Sequence, residues 1–274
     1  MFEIVLILLI FLLIFVLFMA VITEEKKKWE TPNYKFINTY KHLKDEYQIE
    51  LVEQQNSIQI NVSFLPSETK QPYYLIFDTE TTGLLPNKDL TAKTVKSFPR
   101  IVEISWIVLD KDCKLVNTET YLVKQNQSIP EESTDIHGIT TEEANENGIE
   151  LNELLRIFMQ DASSCKYLVA HNMMYDINVL KAEYFRCDKM NDYEVIFNKK
   201  RICTMFSTME LLAIKKRDGS YKFPNLTELF KFCFFPDHKF FLPTNNHRAK
   251  VDVFWTAKSL QYLLKNNLIT VFLY

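Results

Sequence analysis

The sequence predicts an α/β domain with a mixed five-stranded sheet flanked by helices, set behind an N-terminal transmembrane helix. Three observations carry that expectation. Residues 4–22 are an unbroken apolar run. Two long apolar stretches follow each other closely between residues 100 and 124, as the strands of an antiparallel pair do. After them, short apolar runs of strand length alternate with runs of helical spacing.

The chain has 274 residues, which bounds it to one or two domains. It is 47% hydrophobic and 24% charged, enough to build a core around most of its length. Four glycines are too few for flexible Gly-rich linkers or low-complexity tracts. A net charge of −3 excludes a globally basic polyanion binder, so any contact with nucleic acid must come from a local patch or from bound metal. The cysteines at 113, 165, 187, 203 and 233 form no C-x-x-C pair, which argues against a zinc site. Their odd number and scatter also argue against a disulfide framework and fit reduced thiols in a cytosolic-type compartment.

The first element is "IVLILLIFLLIFVLFMAVI", 19 apolar residues. As a helix it spans about 28 Å, against about 30 Å for the hydrocarbon core of a bilayer. A cleaved signal peptide fits poorly. No Lys or Arg precedes the run, Glu3 does, and no small-x-small cleavage site follows it. A buried globular helix would need apolar partners on every face. Lys26, Lys27 and Lys28 then mark the cytoplasmic flank, because acidic neighbours count for little in the positive-inside rule. The expected organisation is a transmembrane helix over residues 1–23, a juxtamembrane linker over 24–70 and a cytosolic domain over 71–274. Within the linker, "YQIELVEQ" and "SIQINVSF" alternate as two strands of a hairpin around Gln55, Asn56 and Ser57.

In the domain, "YYLIFD" (73–78) reads as a buried strand. "RIVEISWIVLD" (100–110) and "KLVNTETYLVK" (114–124) read as two longer strands with a tight turn near Asp112 and Cys113. "IELNELLRIFMQ" (149–160) has helical spacing, "KYLVAHN" (166–172) is a short strand, and "MMYDINVLKAEYF" (173–185) a helix. "RICTM" (201–205) gives a fifth strand. "FSTMELLAI", "NLTELFKFCF" and "AKVDVFWTAKSLQYLLKNN" complete the chain as helices.

Chemistry concentrates in three places. In "LIFDTETTGL", Asp78 and Glu80 are two apart and face one way on a strand. Bare, they repel and one tends to keep its proton; a divalent cation removes the conflict, and all-oxygen donors favour Mg²⁺ or Mn²⁺ over zinc. Two solvated acids at an exposed strand end are the plainer alternative. In "HNMMYD", Asp176 follows Asn172 by one helical turn, and Asn172 is placed to cap the helix; a cap and a surface acid would explain both. In "HRAKVD", His247 and Asp252 are five apart, about 140° around a helix, and converge only if His247 lies in the loop before it. "PTNNHRA" supports such a helix start.

Together, "FDTETTGL", "HNMMYD" and "HRAKVD" resemble the three motifs of the DEDDh-type 3′–5′ exonucleases. That family includes the proofreading epsilon subunit of bacterial DNA polymerase III, the exonuclease segment of PolC-type polymerases, and RNase T. "RIVEISWIVLD" looks like the second strand of such domains, "DIHGIT" like their His-Gly loop, and "ICTM" like the segment after the second motif. The likeness covers roughly residues 72–265.

The resemblance implies a ribonuclease H-like fold and two divalent ions, Mg²⁺ or Mn²⁺. Asp78, Glu80 and Asp252 would hold them, with Asp176 ligating directly or through water. One ion would lower the pKa of a water attacking the 3′-terminal phosphodiester, and the other would stabilise the leaving 3′ oxygen. His247 would take the proton from that water. The product would be a nucleoside 5′-monophosphate, cut from single-stranded or 3′-ended DNA or RNA. Thr81, Thr82 and Leu84 would hold the terminal nucleotide, with His137 and Asn172 as further candidate contacts; a loop hydrogen bond would explain His137 equally well. Lys199, Lys200 and Arg201, and Lys215, Lys216 and Arg217, are candidate backbone contacts, although charge runs are usually solvated faces. The alternatives are a catalytically degenerate nucleic-acid-binding module and a membrane-tethered scaffold. The presence of all five motif residues weighs against the first.

The sequence supplies its own test of orientation. Asn61, Asn126 and Asn225 each begin an N-x-[ST] sequon. Expressed in a secretory-pathway host, the full chain should show no glycosidase-sensitive mass shift. A shift would place the domain on the opposite side of the membrane.

Overall fold

The computed structural model of the chain describes the backbone of residues 47–54 and 57–64, and residues 71–234 and 248–269 in full. The apolar run at 4–22 and His247 lie outside the described residues. Among the described residues no helix is long and apolar enough to cross a membrane.

Strands β1 (Tyr47–Gln54) and β2 (Ser57–Phe64) pair antiparallel, with Gln54 opposite Ser57. The period-two alternation of both segments accounts for their being strands. A five-stranded sheet follows. Its first three strands are β3 (Tyr74–Thr81), β4 (Ile101–Leu109) and β5 (Leu115–Leu122). β4 and β5 are antiparallel, as their closeness predicts. Asp110 closes the turn between them. Its Oδ1 accepts the amides of Asp112 and Lys114 at 2.9 and 2.8 Å, while Cys113 takes φ +60°.

Three helices come next: α1 (Glu131–His137), α2 (Thr141–Asn147) and α3 (Leu151–Ser164). Only α3 is evident from sequence spacing. Strand β6 (Tyr167–Ala170) leads into α4 (Met173–Arg186), α5 (Met190–Phe197) and β7 (Lys200–Cys203). The short helices α6 (Thr204–Ser207) and α7 (Met209–Leu212) precede α8 (Leu226–Phe234) and α9 (Ala249–Lys265). The strand order is β5-β4-β3-β6-β7, with β3 parallel to β6 and β6 parallel to β7. The sheet is therefore mixed, as expected.

Both faces of the sheet are covered, which is why β3 and β4 read as near-continuous apolar runs. On one face Leu75, Phe77, Trp106 and Val108 pack with Leu154 and Phe158 of α3 and Ile177 and Leu180 of α4. On the other, Tyr74, Ile76, Ile107 and Val169 pack with Val253, Ala257 and Leu260 of α9. Alternation along β3 thus sends Asp78 and Glu80 to the α9 face. All five cysteines are free; Cys165 and Cys233 are buried and the other three partly so.

β3 outruns its parallel partner. Pairing with β6 ends at Ile76 opposite Val169, whereas pairing with β4 continues to Thr81. Beyond Ile76, one edge of β3 is open, at the carboxyl end of the parallel strands. Ligands of open α/β sheets bind in such places.

One buried ion cluster ties this end together. The Glu183 side chain on α4 is fully buried. It accepts Arg100 Nε at 3.0 Å, the Ile101 amide at 2.9 Å, and pairs with Arg186 at 3.0 Å. Arg186 in turn donates to the carbonyls of Val95, Phe98 and Pro99. Helix α4 is thereby pinned to the start of β4. Glu183→Gln should lower unfolding free energy by about 3 kcal/mol, since it leaves two arginines short of a buried counter-charge. Urea denaturation of the full chain followed by tryptophan fluorescence reads the change.

Candidate active site

The site assembles at the open end of β3. Glu80 is buried and Asp78 partly so, both on the α9 face of the strand. Asp252 sits in the first turn of α9. One carboxylate oxygen from each of Asp78, Glu80 and Asp252 lies within 4.8 Å of the others. Asp176, in the first turn of α4, arrives over the strand end and is 2% exposed. Its Oδ1 accepts Thr79 N at 3.1 Å and Thr79 Oγ1 at 2.8 Å. That amide is on the stretch of β3 that β6 does not reach, so the open edge itself positions Asp176.

Electrostatics follow from this crowding. Burial, then the negative charges of Asp176, Asp252, Glu80 and Glu103, hold the pKa of Asp78 well above the usual carboxylate range. Burial raises Asp176 to about 7, against the opposing effect of its bonds from Thr79. An all-oxygen set of clustered carboxylates, in which Asp78 and Asp176 resist losing their protons, fits a small, hard divalent cation.

Glu103 is one residue that sequence reading missed. It lies on β4 opposite Glu80 and is 1% exposed. Its carboxylate accepts Arg248 Nη2 at 2.6 Å, Arg248 Nε at 3.1 Å and the Ala249 amide at 2.9 Å. Glu103 thus fixes the first residue of α9, and with it the position of Asp252 one turn later. The carboxylate also suits the positive end of the helix dipole. A lone acid in the middle of "IVEISWIVL" is the signal that could have found it.

The rim is built from the turn after β3. Gly83 has φ +150°, a conformation L side chains rarely adopt. The Tyr175 hydroxyl donates to Gly83 O at 2.7 Å and lies 2.5 Å from Thr81 Oγ1. Tyr175, also missed, therefore ties α4 to this turn one residue before Asp176. Leu84 follows at 86% exposure, an apolar side chain presented to solvent four residues after Glu80. Thr82 faces β4: its Oγ1 accepts the Arg100 amide at 2.9 Å.

The structure also gives the settings of Asn172 and His137. Asn172 occupies the N-cap position of α4 but makes no side-chain capping bond. It leaves β6 in the left-handed region, φ 76° and ψ 48°, which Asn tolerates better than most residues; its carbonyl accepts the Tyr175 amide. His137 is the last residue of α1, 2% exposed, and its Nδ1 accepts the Ile139 amide at 3.1 Å. Burial lowers its pKa, and Thr81, Glu103 and Arg248 are its neighbours. "DIHGIT" is accordingly a helix end, a left-handed Gly138 cap and the approach to α2. His247 precedes Arg248 in sequence and is outside the described residues; α9 begins at Ala249, after both.

The raised acids give a signed expectation. A carboxyl whose folded pKa exceeds its unfolded value stabilises fully below the ordinary carboxylate range, and that contribution is lost as pH rises through about 7. With EDTA, the thermal midpoint should fall by several degrees between pH 5.5 and 8, and Mn²⁺ should restore it at pH 8. Asp176→Asn should raise the metal-free midpoint at pH 8 and shrink the Mn²⁺ shift, as read by differential scanning fluorimetry.

A family model described as exonuclease, of the RNase T type, matches residues 75–260. DNA polymerase III of the PolC type from Ureaplasma parvum is 29% identical over 139 residues, half of this chain and 9% of the polymerase. The PolC-type enzyme of Mycoplasmopsis pulmonis is 28% identical over 111 residues, 40% of this chain and 7% of the polymerase. Among solved structures, E. coli exonuclease I in complex with a dT13 oligonucleotide aligns with TM-score 0.56 and 16% identity, covering 72% of this chain and 42% of that one. Exonuclease I of Methylocaldum szegediense gives 0.54 and 18%, covering 71% and 41%. The chain thus spans less than half the length of each relative, and the structural likeness is one of fold, a ribonuclease H-like mixed sheet with flanking helices. The family match extends over the sheet and all four acids of the cluster, and the chain belongs to the RNase T-type exonuclease family.

Proposed function

We propose that the chain is a divalent-metal-dependent 3′–5′ exonuclease that releases nucleoside 5′-monophosphates from the 3′ ends of DNA or RNA. The observation that carries the reading is the meeting of Asp78, Glu80, Asp176 and Asp252, from β3, α4 and α9, at the open end of the sheet. Family membership agrees with it. The exonuclease I structure that this fold resembles holds a single-stranded oligonucleotide, which favours a single-stranded 3′ end as substrate here.

In this reading Asp78, Glu80 and Asp252 hold two ions of Mg²⁺ or Mn²⁺, with Asp176 ligating directly or through water. Bound there, the ions supply positive charge against the scissile phosphate and acidify the attacking water. The chain's own residues do the remainder. Glu103 and Arg248 hold Asp252 in register with β3. Thr79 keeps one Asp176 oxygen occupied, so the other oxygen is the one available as a ligand. The turn locked by Tyr175 presents Leu84 to the terminal base, with Thr81 and Thr82 beneath it. His247 takes the proton at an imidazole nitrogen, a role that imidazole suits because its unperturbed pKa lies near working pH.

The same reading extends to the domain organisation: a transmembrane helix over 1–23, a linker with a hairpin over 24–70, and the exonuclease domain over 71–274. The 19 apolar residues and the three lysines after them support a single-pass protein with the nuclease domain in the cytosol.

The full chain with Mg²⁺ or Mn²⁺ should shorten a 5′-labelled oligonucleotide stepwise from the other end and release nucleoside 5′-monophosphates. Asp78→Ala and Asp252→Ala should reduce this to background, and His247→Ala by about 10²–10⁴-fold. Unchanged turnover in all three variants would remove the assignment.

A further inference from the structure

Residues 214–223 form a small hairpin that the chemistry above does not use. Lys215 and Tyr221 are bridge partners across it. The Lys216 amide donates to Ser220 O at 2.7 Å and the Lys222 amide to Ile214 O at 2.8 Å. At its tip, Gly219 takes φ +85°, and Asp218 Oδ1 accepts both the amide and the hydroxyl of Ser220, at 2.9 and 2.6 Å. The turn is therefore fixed by its own bonds, and the one acid at the tip is engaged within it.

Lys215, Lys216 and Arg217 are all exposed, while Lys222 pairs with Glu228 at 2.6 Å. Three successive cations thus face solvent on a chain whose net charge is −3. Beside them stand three exposed rings: Tyr221 at 41%, Phe223 at 48%, and Phe206 of α6 at 46%. Phe206 and Phe223 are neighbours, with centroids 6.1 Å apart and planes tilted by 33°. Cations interleaved with exposed aromatic faces are what sequence-tolerant binding of single strands requires. Charges track the phosphates and rings stack on the bases.

The patch is also joined to the carboxylates. Phe223 runs into Pro224, whose carbonyl accepts His171 Nε2 at 3.1 Å. Burial lowers the pKa of His171 to about 4, so the ring is neutral. With Nε2 donating to a carbonyl, Nδ1 accepts from Thr204 Oγ1 at 3.0 Å. His171 ends the turn from β6 one residue before Asn172, which opens the helix carrying Asp176. One neutral imidazole thus clamps the base of the hairpin to the backbone that places a site acid.

Building on the exonuclease reading, we propose that residues 214–223, with Phe206, form the track for the single-stranded nucleic acid lying 5′ of the terminal nucleotides. The strand's phosphates meet Lys215, Lys216 and Arg217, and its bases stack on Tyr221, Phe223 and Phe206. This supplies the positive surface that the net charge of the chain does not.

The test is equilibrium binding to the full chain in non-ionic detergent, with Ca²⁺ in place of Mg²⁺ to suppress turnover. The probes are fluorescein-labelled oligothymidylates of 20 and 4 nucleotides. The triple variant Lys215→Ala, Lys216→Ala, Arg217→Ala should bind the 20-mer about tenfold more weakly, with a log–log salt slope shallower by about 2. Its affinity for the 4-mer should not change. Tyr221→Ala should weaken the 20-mer about tenfold with its salt slope intact, as loss of stacking does. Unchanged 20-mer binding overturns the proposal and leaves the patch to a protein or lipid surface. Equal losses on both lengths overturn it as well, because the effect then lies at the carboxylate site. If the wild-type chain binds with this length dependence but hydrolyses nothing in Mg²⁺ or Mn²⁺, the catalytic reading fails and the strand track stands.

Discussion

Asp78, Glu80, Asp176 and Asp252 repel one another, and a folded chain keeps them together only where other contacts outweigh that repulsion. The domain meets this constraint with two buried glutamates that are themselves neutralised. Glu103, held by Arg248 and the Ala249 amide, fixes the helix bearing Asp252. Glu183, held by Arg100 and Arg186, fixes the helix bearing Asp176 against the start of β4. Buried pairs of this kind add little net stability compared with apolar packing. Their use here is geometric: each ties one acid-bearing helix to β4, the strand adjoining the one that carries Asp78 and Glu80.

The sheet makes the same point at the level of topology. β3 is flanked by an antiparallel neighbour on one side and a shorter parallel neighbour on the other. Had β6 continued to Thr81, the Thr79 amide would have entered the ladder and Asp176 would have lost that partner. The mismatch in strand length is therefore part of the site. Above it, the turn after β3 depends on a glycine at φ +150° and on the Tyr175 hydroxyl, so the exposed Leu84 stands on a fixed base and not on a loose loop.

Much of the fold is legible in the sequence, for a physical reason. Strands covered on both faces must be apolar throughout, so β3 and β4 stand out, and the short gap after β4 implies its antiparallel pairing with β5. α1, α2 and α5 are not legible. Seven or eight residues give about two turns, too few for a helical period to show, and "EESTDIH" holds a single large apolar residue. The acids of the cluster are legible by type and by their joint resemblance to a known pattern. Their convergence is not, because it depends on where β6 stops and where α9 starts, and Glu103 sets the second. Local rules also mislead at Asn172. The spacing that suits a helix cap takes no account of the left-handed exit from β6.

The order of the site residues along the chain has a consequence for synthesis. Asp78 and Glu80 emerge from the ribosome early, whereas Asp252 and the arginine that seats its helix come after β7 and α8. Domains generally fold as units during synthesis, so the sheet is completed only when its last element has emerged. A nascent chain halted anywhere before residue 252 carries an incomplete carboxylate set, and Tyr74, Ile76, Ile107 and Val169 lack the α9 side chains that pack on them. The last described helix thus completes the acid set and the cover of that sheet face in one step.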